Sequence, residues 1–374
     1  MDDSNDLREV KIVVSDLHMG TGSVPGEVNP FEDFHEDERL AELIRYYGGE
    51  RFAGVPIEFI LNGDILDLLK VPFRGAFVTE VTEEIAIEKV RRCLRGHPEV
   101  FDALAEFVAD SKNRITYIVG NHDLDVAFPR VQQLIRARLG VPEGSDSLRF
   151  LPSDQEFYRL PGGVVVAHGH LFEEMNRIEG GRPLKTLPDQ RQVVNFPWGS
   201  LFFTSVLAPA KVERPIIDLV QPLSSFILWG LVFDLRFTLR ILWNMVRFFV
   251  RTRLRMIYER ELDVLKTLQI LAEEFAFYNH LERSASRLLR SSDDVTALIV
   301  GHSHQAGILR YPRNKVYVNT GTWLPRISLD IQRLGTSRRL TYAEVKYGPT
   351  GPPEVRLLRW RGQLRLFERI LEPA

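Results

Sequence analysis

Cysteine is almost missing from this 374-residue chain, where Cys93 stands alone. A lone thiol excludes an internal disulfide and a cysteine-built zinc cage, and fits a reducing compartment. Long hydrophobic runs are missing too. The longest candidate, 219–233, has 15 uncharged residues and includes Pro222, short of the roughly 20 apolar residues a membrane-crossing helix needs. Met1 to Val10 carry acids and polar groups in place of the basic start and apolar run of a secretory signal, so the expected location is cytoplasmic. An excess of either charge is also lacking. The 48 Lys and Arg against 50 Asp and Glu leave a formal net charge of −2, which argues against a polycation that coats nucleic acid. Neither a nucleophile elbow (G-x-S-x-G) nor a P-loop (G-x-x-x-x-G-K-[ST]) occurs. What remains is an ordinary globular composition, 44 % apolar and 26 % charged, long enough for two or three structural units.

Five short apolar runs have the character of strands buried on both faces: Val10 to Val14, Ile57 to Leu61, Ile115 to Val119, Val164 to Ala167 and Ala297 to Val300. Between the early ones, Glu38 to Tyr47, Glu83 to Leu94, Glu99 to Ala109 and Ala127 to Leu139 place apolar residues three and four apart, as helices do. This alternation predicts an α/β fold. After the fifth run come Lys315 to Asn319, Ile327 to Ile331, Tyr342 to Tyr347 and Glu354 to Trp360, separated by Gly and Pro turns, and these predict a closing antiparallel meander. From about Phe172 to Asp293 no β-type run stands out. Arg236 to Val250 and Tyr258 to Leu289 read as long helices, and the acidic run Glu32 to Glu38 reads as a solvated helix start.

A cluster of metal-ligand residue types follows each of the five strands. These are Asp16-Leu17-His18, Gly63-Asp64-Ile65-Leu66-Asp67, Gly120-Asn121-His122-Asp123, His168-Gly169-His170 and Gly301-His302-Ser303-His304. Loops leaving the carboxyl ends of strands in an open α/β sheet share one crevice, so these groups can converge. Carboxylates, an amide oxygen and imidazoles together suit Mn, Fe or Zn better than Ca or Mg. His35, His97 and His280 lie in ordinary helix or turn contexts and receive no role.

In residue types, order and spacing the clusters resemble the calcineurin-like metallophosphoesterases, whose pattern is D-x-H, G-D-x-x-D, G-N-H-[DE], H and G-H-x-H. The resemblance covers 1–172 and 293–374 and implies a two-sheet sandwich flanked by helices around a two-metal centre, with the 173–292 segment as an inserted, mainly helical cap. It further implies that Asp16, His18, Asp64 and His304 hold one divalent ion, and Asp64, Asn121, His168 and His302 a second, with manganese expected and iron or zinc possible. Such a pair, roughly 3.5–4 Å apart, acidifies a shared water and clamps phosphoryl oxygens. His122 would bind the phosphoryl group and assist the leaving oxygen. Either Asp67 or Asp123 would orient it, Asp67 being preferred.

The step from His168 to His302 is 134 residues, against 48, 57 and 47 for the steps between the first four motifs. The chain therefore leaves the site's rim and returns to it. Seven arginines against two acids lie between Asp234 and Arg260. On a helical wheel Arg236, Arg240, Arg247 and Arg251 gather on one face with Trp243. Opposite lies a broad apolar face including Leu235, Leu239, Ile241, Met245, Val246 and Val250. Such a helix can rest on an anionic membrane surface. The cap is similar in placement to that of the UDP-2,3-diacylglucosamine pyrophosphatases, in which it receives acyl chains; their third motif reads G-N-R-D where this chain has Gly120-Asn121-His122-Asp123. The expectation is a phosphoesterase acting on an amphiphilic, lipid-linked phosphate, with peripheral contact to an anionic membrane. The alternatives are a soluble phosphodiesterase or phosphatase of nucleotides or nucleic acid, and a non-catalytic scaffold of the same fold. The scaffold would carry broken ligand motifs, and here all are intact.

Overall fold

Each of the five apolar runs is a strand, and each delivers one cluster at its carboxyl end. The computed structural model describes residues 7–24, 26–152, 155–220, 223–260, 280–329 and 335–362. Its strands are β1 (Glu9–Val14), β2 (Ile57–Asn62), β3 (Arg114–Ile118), β4 (Leu148–Phe150), β5 (Tyr158–Leu160), β6 (Val164–Val166), β7 (Leu184–Thr186), β8 (Gln192–Val194), β9 (Ala297–Val300), β10 (Gly307–Tyr311), β11 (Lys315–Asn319), β12 (Arg326–Ser328), β13 (Gly335–Ser337), β14 (Thr341–Tyr347) and β15 (Glu354–Arg359). Two large sheets result, one ordered β15-β14-β1-β2-β3-β4 and the other β10-β11-β9-β6-β5, beside the two-stranded pairs β12-β13 and β7-β8. Strands β1 to β4 run parallel, as do β6, β9 and β11.

The sheets stack face to face because alternate strand residues are apolar on both sides. Val13, Ile60 and Ile118 of the first sheet meet Val164, Val166, Ile299 and Val318 of the second in one buried layer. The intervening residues Val10, Ile12 and Val14 point the other way, toward helices α1 (Asp37–Gly48), α2 (Glu83–Gly96), α3 (Pro98–Ala109) and α4 (Pro129–Arg138). In α3, Pro98 opens the helix and Phe101, Leu104, Phe107 and Val108 form its buried stripe.

The C-terminal strands differ from the expected meander. β11 joins the second sheet parallel to β9, whereas β14 extends the first sheet antiparallel to β1 and β15 follows antiparallel to β14. They are divided because Val316 and Val318 face inward from one sheet while Ala343, Val345 and Val355 face them from the other. Strand β12 ends at Ser328, and the rest of the run expected to reach Ile331 lies partly outside the described residues.

Residues 173–292 also hold more than helix, since β7 and β8 form a hairpin missed in the sequence because each spans only three residues. The helices here are α5 (Trp198–Phe202), continued by a π turn at Phe203–Leu207, then α6 (Ala208–Ala210), α7 (Leu223–Phe233), α8 (Leu235–Arg260) and α9 (His280–Ser291). Part of the long helix expected from Tyr258 to Leu289 falls on 261–279, outside the described residues. Phe237, Ile241 and Met245 of α8 pack on Val206, Leu207 and Ile217 as a separate small core. Helix α9 instead covers the outer face of the second sheet through Leu281, Ala285 and Leu289.

Candidate metal centre

Parallel pairing of β1, β2 and β3 sets their carboxyl-terminal loops side by side, and backbone bonds lock them. The Asp16 N–H donates to the Gly63 carbonyl at 3.1 Å, and that of His18 to the Asp64 carbonyl at 2.9 Å. Asp16, His18, Asp64, His302 and His304 all adopt left-handed backbone, with φ of 52°, 51°, 53°, 67° and 59°. That region is unfavourable for side chains other than glycine's, and such strain concentrates where geometry serves a purpose. Glycine is required beside them. A Cβ on Gly120 would overlap Asp64 Oδ1, and one on Gly301 would overlap Ser15 and Asp16.

Three overlapping groups of donors gather at this edge: Asp16, His18 and His304; His18, Asp64 and His122; and Asp64, His168 and His302. His18 belongs to the first and second, and Asp64 to the second and third. Its Oδ2 is 3.8 Å from His18 Nε2 and 3.2 Å from His168 Nε2, and its Oδ1 accepts the His122 N–H at 2.8 Å. His304 Nε2 is 3.3 Å from Asp16 Oδ1 and 3.0 Å from His18 Nε2. His168 donates its Nδ1–H to the Asn62 carbonyl at 2.9 Å, which turns Nε2 toward Asp64. That arrangement is typical of a metal-binding imidazole held by an outer partner.

The donor set suits divalent metal ions. Among the described residues, Asn121 Oδ1 and His168 Nε2 are buried without a hydrogen-bond partner, although such atoms are normally satisfied. A hard cation would satisfy both. The electrostatics agree. Burial alone would lower the His168 imidazole, but the Asp64 and Asp16 carboxylates outweigh it and lift it to about 10. Asp64, whose burial would raise it, is held well below the usual carboxylate range by His168 and His122. Carboxylates this confined demand positive charge, which protons on imidazoles or metal ions can provide.

His122 is bonded through Nδ1 to Asp67 Oδ1 at 3.0 Å. Against its burial, the Asp67 and Asp64 carboxylates raise its pKa. Asp123, the other candidate partner, serves elsewhere. It accepts the Gly120 N–H at 2.6 Å, the Ile65 N–H at 2.9 Å and the Tyr117 hydroxyl at 2.7 Å, which ties the β2 and β3 loops together. Burial and nearby Asp64 push it up to about 6. His170 is buried beside His168, with ring centroids 5.4 Å apart, and neither of its nitrogens has a hydrogen-bond partner among the described residues.

Several residues at the site carry no motif. Glu173 Oε2 and Asn176 Nδ2 stand 2.8 and 3.2 Å from His302 Nε2. Ser200 donates to the Asn121 carbonyl at 3.0 Å, and the Phe203 ring lies 5.2 Å from that of His122. A cavity of about 110 Å³ opens over His18, His122 and His304, walled by Lys70, Phe203, Asp218, Leu219, Leu324 and Arg326. Only their position just after a motif could have flagged Glu173 and Asn176; the others are distant in sequence and met by folding. The acidic run is likewise not solvated, since Glu32 and Asp33 are buried and paired.

Arg236, Arg240, Arg247 and Arg251 are exposed on α8 and do not line this cavity. The apolar face of α8 is also narrower than the wheel predicts. Leu235, Leu239, Val246 and Val250 are exposed among the arginines, as is Trp243 at 66 %, because among the described apolar side chains of α8 only Phe237, Ile241 and Met245 are buried. On α7, Leu228, Val232 and Phe233 extend the exposed apolar surface, Phe233 at 75 %. Among the described residues no helix is long and apolar enough to cross a membrane.

Fold and site together define a two-sheet α/β sandwich with clustered acid and imidazole donors at one edge. No family model matches the chain, and no curated protein matches it in sequence. Similar solved structures include a predicted phosphoesterase from Streptococcus pneumoniae, 12 % identical over 95 % of this chain and 92 % of that one, with a TM-score of 0.30. A dimetal phosphatase from Danio rerio is 14 % identical over 95 % of this chain and 100 % of its own, with a TM-score of 0.37. Vps29 from Chaetomium thermophilum is 10 % identical over 94 % and 98 %, with a TM-score of 0.28. Likeness at this level is one of general outline, and the chemical information lies in this chain's own donor set.

Proposed function

We propose that the chain is a two-metal phosphoesterase. The observation that carries the reading is Asp64, whose Oδ2 faces His18 on one side and His168 on the other. Asp16, His18, Asp64 and His304 would hold one divalent ion, and Asp64, Asn121, His168 and His302 the other, with manganese the first choice for a mixed oxygen and imidazole set. When bound, the pair would supply Lewis acidity that acidifies a shared water and neutralises phosphoryl oxygens.

The chain's own groups do the remaining work. With Nδ1 tied to Asp67, His122 has Nε2 left for substrate in the cavity it lines. The neighbouring carboxylates favour its protonated form, so it can bind a phosphoryl oxygen and pass a proton to the leaving oxygen. Phe203, Leu219, Leu324 and Pro325 on the cavity wall limit water beside the leaving group.

The substrate we infer is an amphiphilic phosphate ester or diphosphate, with UDP-2,3-diacylglucosamine the best single candidate and 173–292 acting as the cap. Support comes from the outward face of α7 and α8, where Phe233, Leu239, Trp243 and Val246 are exposed beside Arg236, Arg240, Arg247 and Arg251. Such a face suits peripheral contact with the inner, anionic side of a cytoplasmic membrane, where each arginine contributes about 1 kcal/mol. The test is hydrolysis by manganese-loaded protein of UDP-diacylglucosamine, a soluble diester and a soluble monoester side by side. Preferential turnover of the lipid is expected, and turnover of the soluble esters alone would refute the lipid assignment. Flotation with anionic liposomes should be lost when the four arginines are changed to Glu; unchanged binding would remove α8 as the contact.

A further inference from the structure

Two lysines and three aspartates are buried together beside the metal centre. Lys70 is 3 % and Lys211 0 % exposed. Lys70 Nζ lies 2.9 Å from Asp67 and 2.8 Å from Asp218, and also pairs with Asp33. Lys211 Nζ lies 3.0 Å from Asp33 Oδ2, donates to the Pro215 carbonyl at 2.6 Å and pairs with Asp218. Asp33, Asp67 and Lys70 come from the segment before β3, whereas Lys211 and Asp218 come from the long excursion between His168 and His302. Asp67 belongs to this cluster on one oxygen, through Lys70, and to His122 on the other.

Burying five charges is a poor way to stabilise a fold, because desolvation costs several kcal/mol per ion and well-packed apolar residues would do as well. What such a network does supply is a single geometry, since any misplaced member leaves a buried charge unpaired. Without Lys70, nothing in the cluster would stop Asp67 from turning wholly to His18, whose Nδ1 is 3.2 Å from its Oδ2.

We propose that Asp218 and Lys211 are positioning residues: through Lys70 they hold Asp67, and hence His122, in its working orientation, so that the leaving-group step depends on the docked 173–292 segment. This rests on the phosphoesterase reading above for the role of His122. The chemistry identifies what should be sensitive. A proton donor matters most when the leaving oxygen is strongly basic and little when it is not.

The experiment compares Asp218→Asn with wild type on two phosphate esters, one leaving as p-nitrophenolate and one as an alkoxide. A loss in kcat of about tenfold or more on the alkyl ester with a less than threefold loss on the aryl ester is expected. Equal losses on both would overturn the proposal and leave a merely structural latch. The penalty should also vanish in a His122→Ala background, and full multiplication of the two effects would count against it. Lys211→Arg, which keeps the charge, should retain the wild-type ratio of the two rates even if Asp218→Asn folds poorly, and a changed ratio in a folded Lys211→Arg protein would argue against it. The imidazole ¹⁵N resonances of His122, read without substrate, should move in Asp218→Asn; unmoved resonances would refute positioning. If wild type turned over neither these esters nor the lipid-linked diphosphate, the phosphoesterase reading would fail, while the resonances would still decide whether the network reaches His122.

Discussion

Asp67 Oδ1 lies 3.0 Å from His122 Nδ1, and the aspartate's other oxygen is shared by His18 at 3.2 Å and Lys70 at 2.9 Å. One buried carboxylate thus orients the imidazole that, among the described residues, alone lines the cavity outside the proposed ligand sets. His122→Ala is expected to lower kcat by about 10²–10⁴-fold, and Asp67→Asn by less, with the larger losses on esters of poor leaving groups. Metal content measured by elemental analysis should stay near wild type in His122→Ala; a parallel loss of metal would mean that His122 acts as a ligand.

Asp64 stands where two donor groups meet, so Asp64→Ala should abolish turnover and reduce bound metal by at least one ion. Steady-state kinetics and elemental analysis check this together. Activity within tenfold of wild type would be incompatible with a shared ligand.

Gly120→Ala places a methyl group against Asp64 Oδ1. Overpacking of this kind costs about 1–3 kcal/mol, and here the displaced atom belongs to the carboxylate proposed as the shared ligand. The expected outcome is a protein that still folds, with a lowered Tm, but binds metal weakly. Titration with manganese monitored by calorimetry would reveal an unaltered affinity if the close approach were unimportant.

His97 is buried between Asp37 at 2.7 Å and Glu32 at 3.2 Å. Burial would lower its pKa, but hydrogen bonds to the two carboxylates raise it to about 9. The folded state therefore holds a proton that the unfolded chain releases near 6.5. Its stabilisation is complete below about pH 6.5 and disappears as pH rises through about 9, with an order-of-magnitude ceiling of about 3 kcal/mol. Urea denaturation at pH 6 and pH 9.5 should show this fall in wild type and a flatter profile in His97→Gln. The comparison is best made on metal-free protein, so that ligand binding does not enter the pH dependence.

All five central strands and the four early helices could be read from the sequence, because parallel strands covered on both faces are continuous apolar runs and amphipathic helices keep their 3.6-residue period. The motif residues were legible for a related reason: a loop that leaves a strand end has few residues in which to place its donors. Short, half-exposed β7 and β10 carried no such signal. The partition of β11 and β14 between different sheets could not be read either, since both alternate and only the buried layer that Val318 and Val345 share from opposite sheets distinguishes their places.

Local sequence by itself determined which residues could bind metal and on which strand ends they sit, since residue type and strand-end spacing are local properties. Only the tertiary structure decided that Asp67 and not Asp123 faces His122, that Asp33 is buried, and that Lys211 and Asp218 close a charge cluster beside them. Those relations depend on where separate segments meet in space, and a charge on an otherwise solvent-like stretch gives no sign in sequence of the partner that will bury it.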